Sequence, residues 1–106
     1  MIETMVRKAY MMPQKKHELA ARVCKENGDT ISYVIRRSLA EYADGKPFEI
    51  ASHERIPADR MKTVSYRIRS ADYDQALQVA NARNEQISAV IRAGIDEYLK
   101  EKGHGK

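Results

Sequence analysis

The chain has no tryptophan, one phenylalanine, one cysteine and three prolines in 106 residues. With only Cys24, no internal disulfide framework is available, which fits a reducing compartment. No stretch approaches the roughly 18 apolar residues needed to span a bilayer. The opening MIETMVRKAYMM lacks the unbroken apolar core and small-residue cleavage site of a secretory signal, so a cytoplasmic protein without a membrane partner is expected. There is no glycine-rich phosphate loop, no CxxC and no Ser–His–Asp set. His17 and Cys24, seven apart on one predicted helix face, are two ligands where a metal site needs more. Asp72 and Asp74 suit the positive end of a helix better than an acid/base pair, because residues two apart on a helix point different ways. His53 and His104 fall in linker and tail and read as solvated. The expectation is no enzyme, no catalytic residue, no metal and no cofactor.

What the chain does have is a repeat. Thr30–Tyr42 (TISYVIRRSLAEY) returns at Gln86–Tyr98 (QISAVIRAGIDEY), identical at seven of thirteen positions with an offset of 56 residues and no gap. Ile31, Val34, Ile35, Leu39 and Tyr42 gather on one side of a 3.6-residue period, as do Ile87, Val90, Ile91, Ile95 and Tyr98. Each copy therefore reads as an amphipathic helix, closed by Asp44-Gly45 in one case and Lys102-Gly103 in the other. Such a helix is marginal alone, and the second copy offers the partner surface. A chain of this length suits one domain with a shared core.

Each repeated helix is preceded by the same series of signals. Residues 60–69 alternate, with Val64, Tyr66 and Ile68 on one side and Thr63, Ser65, Arg67 and Arg69 on the other, which predicts a half-buried strand. Residues 4–12 alternate more loosely, with Val6, Lys8, Tyr10 and Met12 against Met5, Arg7, Ala9 and Met11. A one-residue slip would instead turn Lys8 and Tyr10 outward. Pro13 ends the first strand and suits the first turn of a helix. Gln14–Asn27 carries Leu19, Ala20, Val23 and Cys24 as its stripe, and Asn27-Gly28 stops it. Thr30 is the expected cap of the next helix. In the second half Ser70 is the expected cap, Ala76, Leu77, Val79 and Ala80 form the stripe, and Asn84 stands in for the turn glycine. The organisation is a first repeat over 4–45, a linker over 46–59 and a second repeat over 60–103, within a single domain over 1–106. Phe48, Ile50 and Ile56 in the linker are candidates to pack on the body. The predicted class is mostly α with a two-stranded antiparallel β-ribbon.

Net charge is +4 and the sequence pI is about 9.3, which favours an anionic partner only weakly. Distribution is more informative: Arg60–Arg69 holds four positive charges and no acid. A solvated edge strand guarded by cations is the plain alternative.

These residues resemble the ribbon-helix-helix family, the Arc and MetJ repressors and their relatives. The likeness rests on Pro13 after the strand, the run Val23–Ser32 (VCKENGDTIS) and the aliphatic helix behind it. The second half keeps the helix pattern but lacks the proline and the turn glycine. The fused pair looks like the TraY relaxosome proteins of conjugative plasmids. The resemblance implies an intramolecular pseudo-dimer whose ribbon enters the major groove of double-stranded DNA. It places Arg7, Ala9, Met11, Thr63, Ser65 and Arg67 at base edges. Ile31-Ser32 and Ile87-Ser88, at the helix starts, would hold phosphates, joined by Lys62 and Arg69. Ala9 and Met11 offer apolar contact, such as a thymine methyl accepts, where relatives carry polar side chains. The implied roles are transcriptional repression or accessory work at a plasmid transfer origin. Partners would be further copies side by side on DNA, and a relaxase or other protein. An antitoxin-like module wrapping a protein partner is the competing reading, weakened by the few residues after the second repeated helix.

Overall fold

The computed structural model describes residues 4–50 and 60–103. His53, Ile56, His104 and most of the expected linker lie outside the described residues. Chain order is β1 (Met5–Pro13), α1 (Gln14–Glu26), α2 (Ile31–Ala43), β2 (Met61–Arg69), α3 (Ser70–Arg83) and α4 (Ile87–Glu101). The fold is thus mostly helical, with one two-stranded antiparallel sheet.

The register of that sheet centres on Ala9 opposite Ser65, flanked by Arg7 opposite Arg67 and Met11 opposite Thr63. Ala9 and Ser65 are themselves one repeat offset apart, so the ribbon's midpoint is where equivalent positions of the two copies face each other. Period-two alternation then sends Tyr10, Met12, Val64, Tyr66 and Ile68 into the core. The Tyr10 and Tyr66 rings meet edge-on, 6.0 Å apart between centroids, a favoured aromatic geometry. Lys8 also lies on the inner side. It is half-buried, with its ammonium 4.5 Å from the centre of the Tyr73 ring, so stem and charge are both accommodated.

Behind the ribbon, α2 and α4 pack on each other more extensively than any other helix pair. Val34, Ile35, Leu39 and Tyr42 from one and Val90, Ile91, Ile95 and Tyr98 from the other are buried, each large aliphatic contributing about 1.5–3 kcal/mol. The helices touch at Ser38 and Gly94, again one offset apart. Ser38 is the one buried polar side chain among the described residues, at 6% exposure, and its hydroxyl donates to the Val34 carbonyl at 2.8 Å. A β-carbon at Gly94 would collide with the Ser38 side chain, so glycine here permits the close approach. The tyrosines that end the two stripes reach across the molecule. Tyr42 Oη donates to Glu85 at 2.6 Å and Tyr98 Oη donates to Asp29 at 2.7 Å.

Local signals account for the boundaries. Thr30 is extended and its side chain accepts from the Tyr33 N–H at 3.1 Å. Gly28 ends the α1 turn at φ 73°, and Asn84 takes the left-handed conformation at φ 56°. Two boundaries differ from expectation. Pro13 closes β1 and takes the cap position of α1. Ser70 is the first helical residue of α3 and not its cap, a position held by Arg69 without a side-chain cap bond. The reason is that β2 runs straight into α3. The Ser70 N–H extends the strand pairing by donating to the Thr4 carbonyl at 2.9 Å, while Arg69 Nε bonds Asp72 at 2.7 Å. Phe48 and Ile50 pack against the core, the Phe48 ring 6.2 Å from that of Tyr42. No helix among the described residues is long and apolar enough to cross a membrane.

Candidate functional site

Alternation leaves the other face of the ribbon bare. Arg7, Ala9 and Met11 of β1 and Thr63, Ser65 and Arg67 of β2 are all exposed, in three facing pairs. The alternative parity, with Lys8 and Tyr10 outward, is overturned: Tyr10 is only 3% exposed because its ring belongs to the aromatic pair beneath the sheet. On the outer face Arg7 Nη2 donates to Ser65 Oγ at 3.1 Å, a diagonal contact that draws one guanidinium toward the ribbon's centre. Arg67 makes no side-chain bond among the described residues. Met11 is 43% exposed, a large apolar group at the end opposite the arginine pair.

Two strands leave two outer edges, each with backbone groups lacking a ladder partner. Arg36 of α2 donates from Nη1 to the Arg67 carbonyl at 3.3 Å. Arg92 of α4 does the same to the Met11 carbonyl at 2.8 Å. The two bonds are related by the repeat offset at both ends. They tie each edge to the helix behind it and set a cation beside it. Helical periodicity places both arginines on the polar side of their helices and by itself gives them no role. Their identity in both copies was the available signal.

The helix starts lie close to these arginines in sequence. Ile31 and Ile87 pack partly on the core, leaving Ser32 and Ser88 half-buried in first turns whose N–H groups have no intrahelical partner. Thr30 satisfies one such group in α2, whereas the Gln86 side chain satisfies none in α4. Lys62 is exposed beside the Met11–Thr63 end, and Arg69 is engaged with Asp72.

The remaining polar groups are dispersed. Cys24 is buried and burial pushes its thiol up, against a lowering from the Tyr98 hydroxyl. The His17 imidazole is held below its ordinary range, first by burial and then by Lys62, and its Nδ1 has no hydrogen-bond partner. Among the described residues no three His, Cys, Asp or Glu side chains gather as a metal site. An open groove of about 710 Å³ runs between α1, α4 and the segment after α2, past Lys16, Leu19, Phe48 and Asp96, and none of its lining residues belongs to the ribbon. No family model, curated protein or solved structure matches the chain.

Proposed function

We propose that the chain is a single-chain ribbon-helix-helix pseudo-dimer that binds double-stranded DNA sequence-specifically by laying β1 and β2 in the major groove. The observation that carries this reading is the bare ribbon face. Six alternating side chains, two of them arginines and two hydroxyl-bearing, project from a paired ribbon whose other face is core. A groove about 12 Å wide admits a two-stranded ribbon. Arg7, Arg67, Thr63 and Ser65 then supply donors and acceptors to base edges, while Ala9 and Met11 supply apolar contact. The first turns at Ile31-Ser32 and Ile87-Ser88 hold phosphates, aided by Lys62 and Arg69. Arg36 and Arg92 brace the ribbon edges between these groups. Because outward residues differ between the copies, an asymmetric site is favoured over a perfect palindrome. A ribbon this short covers few base pairs, so copies bound side by side or a protein partner such as a relaxase would raise affinity. The biological role is then that of a transcriptional repressor or a plasmid-transfer accessory protein.

The test is binding to duplexes selected from a random pool, at two salt concentrations. Arg67→Ala is expected to cost about 1–3 kcal/mol on the selected site and to relax one position. Lys62→Ala should weaken binding to all sequences alike and reduce the salt slope by about 1. An Arg67→Ala protein with unchanged sequence preference overturns readout by the ribbon.

A further inference from the structure

Resting on that DNA-binding reading, we infer that the ribbon is chemically polar along its length: the Arg7–Arg67 end reads guanine and the Met11–Thr63 end reads A·T pairs. The recognised duplex therefore has two halves of opposite base content, bound in one orientation. Arg7 and Arg67 face each other directly across the sheet, an arrangement of like charges that disfavours itself unless something electronegative lies against it. Among the described residues only Arg7 is relieved, by its bond to Ser65. Guanine presents two acceptors, O6 and N7, to the major groove, matching the two-donor edge of a guanidinium.

The other end has the opposite chemistry. Met11 stands out from the sheet opposite Thr63, so the pair offers a thioether, a methyl and one hydroxyl. Against G·C, Met11 would cover O6 and N7 without replacing their hydrogen bonds to water, which is costly. Against A·T it covers the thymine methyl, and the Thr63 hydroxyl can serve adenine N7 or thymine O4. The midpoint, Ala9 and Ser65, separates the two chemistries. At the repeat offset Thr63 corresponds to Arg7 and Met11 to Arg67, so two substitutions would make the ribbon uniform.

The experiment is selection from random duplex DNA with the full chain, with Arg67→Ala, with the double variant Arg7→Ala, Arg67→Ala and with the double variant Met11→Arg, Thr63→Arg, folding being checked by circular dichroism. The full chain is expected to enrich sites with guanines in one half and A·T pairs in the other, and replacing the A·T half by a mirrored guanine half should weaken binding about tenfold. Losing both arginines should erase the guanine preference alone, Arg67→Ala by itself relaxing one position of it, and the Met11→Arg, Thr63→Arg variant should enrich guanines in both halves. A palindromic consensus from the full chain, or guanine preference surviving loss of both arginines, overturns the polarity while leaving DNA binding intact. No enrichment of any sequence overturns the DNA-binding reading itself.

Discussion

The inner and outer faces of the ribbon and its helices have diverged to different degrees. Inside, many residues one repeat offset apart are the same: Tyr10 and Tyr66, Val34 and Val90, Ile35 and Ile91, Tyr42 and Tyr98. Their contacts are duplicated too, in the two tyrosine–carboxylate bonds and the two arginine–carbonyl bonds. On the bare face no pair matches: Arg7 stands against Thr63, Ala9 against Ser65 and Met11 against Arg67. Packed interiors resist changes of even a methylene, whereas exposed positions away from such features alter stability by only about 0.5 kcal/mol. The difference teaches that the repeat specifies the scaffold, and that the exposed residues were free to acquire distinct chemistry at the two ends of the ribbon.

The inner symmetry breaks where Ser38 meets Gly94, and this is where the comparison is most easily destroyed. Gly94→Ala is expected to destabilise the protein by about 1–3 kcal/mol. The added carbon meets the Ser38 side chain, including its β-carbon, which is fixed to the backbone. The gain in helix propensity over glycine, about 1 kcal/mol, does not offset that. Adding Ser38→Gly removes the obstruction, so urea unfolding of the double variant should show a favourable coupling between the two sites. Additive losses would mean that the helices can slide apart at this crossing.

The tyrosine pair sharpens the same comparison with a smaller effect. Burial, then the bond to Glu85, pushes the Tyr42 phenol up to about 12. Burial and then Asp29 push Tyr98 in the same direction. A raised value means that the folded state holds the proton more tightly, so this stability is full below the ordinary tyrosine value of about 10. It is lost as pH climbs from there toward 12. Tyr42→Phe and Tyr98→Phe should each cost about 1–2 kcal/mol at neutral pH. Together they should flatten the alkaline limb of a stability-against-pH curve. Unequal costs would show that the two halves do not share the load evenly.

Much of this architecture was legible in the chain because it was written twice in two clear periods. The alternation of Val64, Tyr66 and Ile68 located β2, and the recurrence of Ile87, Val90, Ile91 and Ile95 located α4. The parity of β1 was not legible, since Met5, Met11 and Met12 are equally apolar on both sides. It is settled by tertiary packing of Tyr10 and Met12. The Ser70 cap was misplaced because Ser is a good cap in isolation, while the strand-to-helix junction there uses the Ser70 N–H for pairing with Thr4. The partners of Tyr42 and Tyr98 lie in the turns, outside the repeated window. An acid at both 29 and 85 was the signal, visible only once the offset is carried beyond the helix.

The least effect is expected at the helix starts, where the two copies differ by one functional group. Thr30 accepts the Tyr33 N–H, and Thr30→Ala should cost about 1 kcal/mol. Gln86 occupies the equivalent position with extended backbone, φ −99° and ψ 139°, but no side-chain bond. Gln86→Thr places a short acceptor there and should raise stability by up to about 1 kcal/mol, read as a shift in the urea midpoint with unchanged slope. By analogy with Thr30 and Tyr33, the new hydroxyl takes the Ala89 N–H and leaves those of Ile87 and Ser88 to phosphate. It should therefore stabilise the fold and leave DNA binding unchanged. A variant that gains stability but loses affinity would add the Ala89 N–H to the phosphate contacts while leaving the ribbon's role untouched.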